Sequence, residues 1–180
     1  IMPSTIEVGK WLLDGATRDT QTITASWTPA KLKLIDGVEV HEVANVPKRQ
    51  GYLTEIFRAG WMHDGVAVDQ VFQVVLNSGA ISAWHAHELT TDRLFVANGL
   101  MRIVLYDARE ESRTCGLINE LIFGTVRPAL VTVPPQVWHG IQNIAEGPST
   151  IVNIVDRAYD YAAPDHWRVP HDSPQIPFTW

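Results

Sequence analysis

Two histidines stand one residue apart in the segment GAISAWHAHELTTDRLFVANG, which covers residues 79–99. Side chains alternate along a β-strand, so His85 and His87 are expected on one face and Trp84 on the other, where we predict that it packs. Imidazole transfers protons near neutral pH and is also the commonest metal ligand in proteins. The segment therefore predicts an acid–base site, a metal site, or a pair of interior histidines in a barrel without activity.

Two further residues complete a possible metal site. Asp92 follows the pair and is expected on the neighbouring strand of a hairpin, and the segment PPQVWHGIQN supplies His139. This spacing resembles the paired motifs of the cupin superfamily, with Asp92 in place of the usual Glu and Gln136 in place of the usual Gly. On this hypothesis the protein is a metal-binding cupin, either a dioxygenase-like enzyme or a small-ligand binding protein. One divalent transition metal ion is then bound by His85, His87, Asp92 and His139.

Short runs rich in Val, Ile, Leu and Phe must position these side chains. They recur between turn signals such as NSG, PP and EGP, which is typical of an antiparallel barrel or sandwich. The only stretch with helical spacing is TCGLINEL, which is too short to organise a fold. We therefore predict an all-β chain with strands in VDQVFQVVL, DRLFVANG, LMRIVLYDA, ALVTVPP, HGIQNI and STIVNIVD.

Motifs spread over residues 31–180 resemble the dTDP-4-dehydrorhamnose 3,5-epimerase family. Arg49 and Glu55 occupy its Arg-x-Gly-aromatic-x-x-Glu pattern, Gln70 falls at its Gln-Asp-Asn segment, and Arg109 lies in YDAREESRTCG. VPPQVWHG matches its Pro-x-x-x-x-His-Gly turn, and HDSPQIPFTW resembles its tail. The resemblance implies a cupin fold, a double-stranded β-helix or jelly-roll barrel, as a single domain of residues 31–180. Residues 1–30 are predicted to form an N-terminal arm.

The resemblance also implies a reaction, carried out by an isomerase or epimerase on a nucleotide-linked, dTDP-type 4-keto-6-deoxy sugar. The ketone acidifies the protons on the neighbouring carbons, and a histidine base removes one of them. His85 stands at the position of the family's base, with Asp172 as its candidate carboxylate partner and Asp156 as an alternative. Arg93 falls where the family uses a lysine, so it is the expected cation beside the enolate. No cofactor is expected for this reaction.

The sequence WHAHE resembles a second group with the same barrel, the nucleotide-sugar 3,4-ketoisomerases. Two histidines of that group can handle protons on adjacent carbons, and this chain keeps the pair without its flanking Arg and Lys. The predicted catalytic residues are His85, His87, Arg93 and Asp172. The predicted substrate-binding residues are Arg49, Glu55, Gln70, Arg109 and His139.

Two residues of the epimerase family are missing. Its Arg-Gly-Leu-His segment becomes SAWH here, so that Ser82 replaces an arginine expected near the diphosphate or the sugar. Its catalytic tyrosine aligns at about Val152, which cannot donate a proton, and Tyr159 and Tyr161 lie downstream. Double epimerisation, single epimerisation and a ketone shift therefore stay open as reactions.

Composition narrows the possible partners. The 180 residues carry a formal net charge of -6, which argues against a nucleic-acid partner because phosphate binding needs a Lys/Arg stripe. The single cysteine excludes an intramolecular disulfide and favours a cytoplasmic location. No apolar run approaches the length of a membrane span, so no membrane partner is expected. The family resemblance implies a homodimer that binds a nucleotide sugar.

Overall fold

Strands carry most of the regular structure in residues 11–61 and 67–180, the parts of the chain that the computed structural model describes. Contacts divide the chain between Lys33 and Leu34. Residues 11–33 contain turns and an antiparallel bridge between Ile23 and Pro29. The first ten residues of the predicted N-terminal arm lie outside the described residues. None of the described segments forms a helix long and apolar enough to cross a membrane.

Twelve strands and one short 3-10 helix occur in the described residues, all of them after Lys33. The helix covers Ala59–Trp61. The strands are β1 Glu39–Glu42, β2 Asn45–Lys48, β3 Gly51–Thr54, β4 Gln70–Leu76, β5 Ile81–Ala86, β6 Asp92–Asn98, β7 Leu100–Tyr106, β8 Ile118–Gly124, β9 Ala129–Val133, β10 Trp138–Asn143, β11 Ser149–Val155 and β12 Trp167–Arg168.

The chain crosses between two five-stranded antiparallel sheets at most connections from β4 onward. The first sheet has the order β1-β9-β6-β11-β4, and the second has the order β12-β5-β10-β7-β8. β2 and β3 form a two-stranded hairpin of their own. This alternation between two sheets is the jelly-roll arrangement, and the all-β prediction is confirmed.

The main core lies between the two sheets. Met101, Ile103 and Leu105 alternate along β7 and are fully buried, as the period of two on a strand requires. They belong to one apolar cluster with Leu94 and Val96 of β6, which lies in the other sheet. Full burial of each such side chain contributes about 1.5–3 kcal/mol to the stability of the fold, so this cluster holds the two sheets packed against each other.

A second cluster covers the outer face of β5. Trp84 is fully buried there, with its ring centroid 4.9 Å from that of Trp180 and 6.1 Å from that of Phe178. Gly140 makes room for this contact, because a Cβ at that position would lie 2.7 Å from the Trp180 ring. The predicted packing of Trp84 is confirmed, and the opposite face of β5 is left for His85.

The predicted helical spacing of TCGLINEL is wrong. Its second half begins β8, which pairs with β7 along its whole length. Asn119, Leu121 and Phe123 are buried, whereas Glu120 and Ile122 are exposed. This alternation has the period of a strand, and pairing with β7 decides the conformation of so short a segment.

Asp107 organises the connection from β7 to β8. Its fully buried carboxylate accepts hydrogen bonds from the guanidinium of Arg109 at 2.8 and 3.0 Å, from Ser112 Oγ at 2.5 Å and from Thr114 Oγ1 at 2.6 Å. Arg109 also donates to the carbonyl of Asp36 at 2.8 Å. Arg109, which is predicted to bind substrate, therefore has its guanidinium hydrogen-bonded within this turn.

Candidate active site

Four histidines face one open cavity of about 800 Å³. Its wall is formed by strands of both sheets and by the segment that follows β11, residues 156–168. The four are His85, His87, His139 and His166. The rings lie close to one another, with centroids 5.0 Å apart for His85 and His166 and 5.6 Å apart for His87 and His139. Such a group of imidazoles can hold and move protons.

Pairing of β5 with β10 places two of the histidines side by side. His85 lies directly opposite His139 in the antiparallel register, so both side chains point to the same face. His87 follows just after the end of β5 and points to the same side as His85. The predicted common face of His85 and His87 is therefore present.

Asp92 reaches the cavity from the opposite sheet. We predicted that it lies on the hairpin neighbour of the His85 strand, and this is wrong, because β6 pairs with β9 and β11. Its Oδ2 lies 3.1 Å from Nε2 of His87 and 3.1 Å from Nε2 of His139. The chain crosses between the sheets after β5, so Asp92 meets the histidines across the cavity.

The carboxylate of Asp92 has a donor on each oxygen. Asn153 donates to Oδ1 at 2.7 Å, and the two histidines contact Oδ2. Burial raises the pKa of Asp92, but the hydrogen bonds from His139 and His87 outweigh it and hold the pKa well below its usual range. Asp92 is therefore an anion at neutral pH.

His87 has an acceptor at both ring nitrogens. Nε2 contacts Asp92, and Nδ1 donates to the carbonyl oxygen of Asp165. Because neither partner can donate, the metal-free arrangement places both nitrogens to donate, as those of an imidazolium do. Burial lowers the pKa of His87, but the hydrogen bond and charge of Asp92, together with Asp165, outweigh it and raise the pKa.

His85 has neutral partners instead. Its Nε2 lies 3.0 Å from Ser82 Oγ, and its Nδ1 lies 3.1 Å from Nε2 of His166. Burial, together with the charges of His139 and Arg168, lowers the pKa of His85 to about 3. Burial likewise lowers the pKa of His166 to about 4. The His85 ring is therefore neutral and keeps a lone pair that can accept a proton.

The structure does not bring the predicted carboxylate partners to His85. Asp172 is exposed, and the neighbouring carbonyl of His171 accepts a hydrogen bond from Trp84 Nε1 at 3.2 Å, on the outer face of β5. Asp156 accepts from the backbone amide of Thr91 at 2.9 Å. The tail passes on the Trp84 side of the strand, so His166 occupies the place expected for a carboxylate.

Arg93 lies on the face of β6 that points away from the cavity. Asp92 and Leu94 line the cavity, so the residue between them must point to the other side of the sheet. Arg93 is buried there, and its Nη1 donates to the carbonyl of Ile154 at 3.5 Å. The expected cation beside the enolate is therefore not brought to the site.

The predicted substrate-binding residues divide into two groups. Gln70 lines the cavity together with His139, and its Oε1 accepts a hydrogen bond from the amide of Tyr159 at 3.0 Å. Arg49 is exposed in the turn between β2 and β3, and Glu55 forms an exposed ion pair of 2.7 Å with Arg58. Neither Arg49 nor Glu55 lines the cavity within the described residues.

Three of the four predicted metal ligands come together. One atom each from His87, Asp92 and His139 lies within 4.8 Å of the other two. Nδ1 of His87 faces the carbonyl of Asp165, and Nδ1 of His139 faces that of Val137 at 3.1 Å, so both Nε2 atoms point at the centre. Such backbone acceptors are typical of histidines that bind metals. His85 stands apart, because its nitrogens contact Ser82 and His166.

The sequence reasoning missed Asp165, His166 and Arg168 in the segment 156–168. The carboxylate of Asp165 accepts hydrogen bonds from the amides of Glu88, Leu89 and Thr90 at 2.6, 2.9 and 3.0 Å. His166 and Arg168 both line the cavity. Their spacing of two residues is the signal that places them on one face of an extended segment.

Comparison with known proteins gives two curated relatives. The chain is 31% identical to the probable low-salt glycan biosynthesis epimerase Agl13 of Haloferax volcanii, over 81% of this chain and 94% of the relative. It is 32% identical to the spore coat polysaccharide biosynthesis protein SpsL of Bacillus subtilis, over 82% of this chain and 97% of the relative. No protein-family model matches the chain.

Solved structures of dTDP-sugar isomerases and epimerases are also similar to this chain. A dTDP sugar isomerase from Desulfovibrio desulfuricans is 28% identical and superimposes with a TM-score of 0.77 over 84% of this chain and 95% of that one. The dTDP-4-dehydrorhamnose 3,5-epimerase of Bacillus anthracis is 17% identical, with a TM-score of 0.72 over 80% of this chain and 85% of that one, and shows the fold alone. The predicted cupin jelly roll is confirmed.

Proposed function

Because the chain belongs to the dTDP-4-dehydrorhamnose 3,5-epimerase-like family of sugar-nucleotide epimerases and isomerases, we propose that it acts on a dTDP-type 4-keto-6-deoxy sugar. The observation that carries this proposal is the position of His85 at the wall of the cavity, where its ring contacts Ser82 Oγ and His166 Nε2 and no carboxylate. A relative that is 28% identical is named a dTDP sugar isomerase, which supports this class of substrate.

His85 removes a proton from a carbon next to the ketone. Ser82 Oγ holds the Nε2 side of the ring, and a substrate C–H group takes its place when the sugar binds. His166 holds the Nδ1 side. For Nε2 to accept the substrate's proton, Nδ1 carries the ring's own proton and donates it to Nε2 of His166, which orients the ring. A histidine thus does the orienting that we expected from Asp172.

The enolate that forms needs positive charge near the ketone oxygen. His87 supplies it, because its two acceptors keep the ring protonated beside the cavity. Asp92 holds this ring in place, and Asn153 holds Asp92. A fixed imidazolium stabilises developing negative charge without reorganisation, which replaces the role expected for Arg93.

The atom that receives the proton, and the face on which it arrives, determine the product. A proton delivered to the opposite face of the same carbon gives an epimer, whereas proton transfer between the neighbouring carbon and oxygen moves the ketone. Both outcomes begin with the same abstraction by His85. NMR spectroscopy of the product distinguishes them, because only the ketone shift changes which carbon carries the carbonyl.

Deuterium exchange tests the proposal directly. The protein is incubated in D2O with dTDP-4-keto-6-deoxyglucose, and deuterium gained by the sugar is measured by mass spectrometry. The His85→Asn variant is expected to lose roughly a hundredfold or more of the exchange rate, the usual contribution of a general base. His171→Asn is the control, because the recorded hydrogen bond of His171 uses its backbone carbonyl. Exchange that is absent in the unmodified protein, or unchanged in His85→Asn, would contradict the proposal.

A metal-binding cupin is the second candidate, favoured by the hydrogen-bond partners of His87 and His139. All four nitrogens of these two rings face oxygen acceptors, so the metal-free arrangement needs four N–H groups beside the single carboxylate of Asp92. A divalent ion among these three side chains would replace two of those protons. It would act as a Lewis acid in the cavity.

Metal content distinguishes the two candidates. Protein purified without a polyhistidine tag is analysed by mass spectrometry beside the Asp92→Ala variant. Near-stoichiometric transition metal that is lost in Asp92→Ala would favour the metal-binding candidate. Retained exchange activity in protein that has been shown to lack metal would favour the imidazolium mechanism.

A further inference from the structure

The carboxylates that line the cavity are already engaged by the chain. Asp92 is held by the two histidines described above. The other three accept hydrogen bonds from backbone amides: Asp69 from Ala158 at 2.8 Å, Asp160 from Ala162 and Ala163 at 2.8 and 3.1 Å, and Asp165 from residues 88–90. Each of them therefore has a fixed role in shaping the cavity wall.

Two arginines supply the permanent positive charge in the described part of this wall. Nε of Arg157 donates to the carbonyl of Leu89 at 3.3 Å. Arg168 is exposed, and its guanidinium forms neither an ion pair nor a hydrogen bond with any described part of the chain. A guanidinium without a partner at a cavity wall is available for a ligand that carries negative charge.

Register places Arg168 beside the catalytic base. β12 pairs with β5 so that Arg168 lies directly opposite His85. Directly opposite residues point to the same face, with Cβ atoms about 4.5–5.5 Å apart. The charge of Arg168 lowers the pKa of both His85 and His166, which agrees with this proximity.

The chemistry of a nucleotide sugar matches this arrangement. Its diphosphate is attached to C1, and both carbons next to a C4 ketone, C3 and C5, are two bonds away from C1. A sugar with C3 or C5 at His85 therefore carries its diphosphate within reach of the neighbouring strand. The family's arginine is absent at Ser82 on β5, and Arg168 restores a guanidinium from the strand alongside.

We propose that Arg168 binds the diphosphate of the nucleotide sugar and so positions the sugar at His85. This inference rests on the proposed function, since it assumes a substrate of that class. The planar guanidinium donates two parallel hydrogen bonds to phosphoryl oxygens, which a lysine cannot do. Arg168 is thus a substrate-binding residue of this chain that lies outside the family motifs in its sequence.

Calorimetry with dTDP as the probe tests the inference without requiring turnover. Arg168→Gln is expected to weaken dTDP binding roughly tenfold to a hundredfold, as loss of hydrogen bonds to a charged group predicts. Arg168→Lys is expected to lie between this variant and the unmodified protein. Arg102→Gln is the control, because Arg102 pairs with Glu120 at 2.9 Å outside the cavity. Thymidine, which lacks phosphate, should bind equally to all four proteins.

Kinetics separate this inference from the proposed function. If the sugar reaction proceeds, Arg168→Gln should raise KM by a similar factor and leave kcat within a few-fold. Equal dTDP affinity in Arg168→Gln and the unmodified protein would overturn the inference, whether or not exchange occurs. If dTDP binding depends on Arg168 but no deuterium exchange occurs, the result would support diphosphate binding by Arg168 and reject the proposed reaction.

Discussion

Hydrogen-bond partners give two neighbouring histidines opposite chemical character. His85 contacts a hydroxyl and an imidazole, and its pKa is lowered, whereas His87 contacts a carboxylate and a carbonyl, and its pKa is raised. The proposed mechanism uses this contrast, with His85 as the base and His87 as the cation. Such pairs, whose environments drive their pKa values apart, are typical of catalytic sites.

We expect Asn153 to stabilise the folded protein, although it was not among the predicted site residues. Its side chain donates to Asp92 Oδ1 at 2.7 Å and accepts from the amide of Arg93 at 3.1 Å. Asn153→Ala leaves two buried polar groups unpaired, so we expect a loss of about 2–4 kcal/mol in the free energy of unfolding. Urea denaturation measures it. Asn98→Ala, which removes one exposed bond to Pro148, is the control and should cost less than about 1 kcal/mol. Equal losses in the two variants would contradict this account.

Sequence patterns predicted the candidate site residues better than the residues that contact them. His85, His87, Asp92 and His139 could be predicted because their types and spacing follow a motif. Asp172 could not be tested from spacing alone, because the side of β5 on which the tail passes depends on Trp84. The position of Gln136 shows the same limit. Its φ of 66° explains why the cupin motif has glycine there, and only the structure shows its amide donating to the carbonyl of His87 at 2.6 Å.

The connection from β7 to β8 depends on one buried carboxylate. Asp107 accepts bonds from Arg109, Ser112 and Thr114, and these fix the backbone between the two strands. Burial raises the pKa of Asp107, but the hydrogen bonds from these three residues outweigh it and hold the pKa well below its usual range. The charge of this group is therefore part of the fold.

Asp107→Asn should destabilise the protein in a pH-dependent way. We expect a loss of about 3 kcal/mol at pH 7, because a partly buried guanidinium and two hydroxyls lose a charged acceptor that is itself fully buried. The folded pKa is lowered, so the stabilisation is fully present above the unfolded pKa of about 4 and falls as pH drops below it. Chemical denaturation at pH 7 and pH 3 should show the gap between the two proteins narrowing at pH 3. Asp36→Asn, which removes an exposed pair with Arg113, should show little change. A gap of constant size would contradict the role of this charge.

Strand positions could be predicted more readily than strand neighbours. Each predicted run coincides with most or all of a strand, as DRLFVANG contains Asp92–Asn98 and LMRIVLYDA contains Leu100–Tyr106. The alternation of apolar side chains carries that information locally. Which strands pair is decided by the crossing of the chain between sheets, and for this reason Asp92 was assigned to the wrong neighbour.

Residues 156–168 link the end of the barrel to the loop after β5. Asp165 provides the link, since its carboxylate accepts from three amides of that loop and its carbonyl accepts from His87. Asp165→Ala should therefore increase hydrogen exchange at the amides of residues 88–90 by at least tenfold, measured by mass spectrometry. Asp160→Ala removes bonds only to Ala162 and Ala163 and should leave residues 88–90 unchanged. Equal protection of these amides in Asp165→Ala would show that other contacts hold the loop.

The family resemblance also predicts a homodimer. The β2–β3 hairpin presents Tyr52 and Leu53 as exposed side chains, 57% and 61% accessible, on a sheet of only two strands. Isolated two-stranded sheets are marginal by themselves, so a second copy would stabilise this hairpin. Sedimentation velocity should give about twice the 20.1 kDa of one chain. Leu53→Lys should shift the mass towards that of a monomer, and a monomeric unmodified protein would contradict the prediction.

The arrangement of residues in the cavity wall has a consequence for the evolution and engineering of this protein. The proposed proton chemistry belongs to side chains on or next to the paired strands and to His166. A separate part of the wall comes from a single stretch after β11, which supplies Arg157, Ala158, Tyr159, Asp160 and Ala163. Mutations in that stretch can therefore alter which sugar fits while the barrel stays intact. Exchanging residues 157–164 between relatives, with Asp165 and His166 kept, offers a compact route to new sugar specificities.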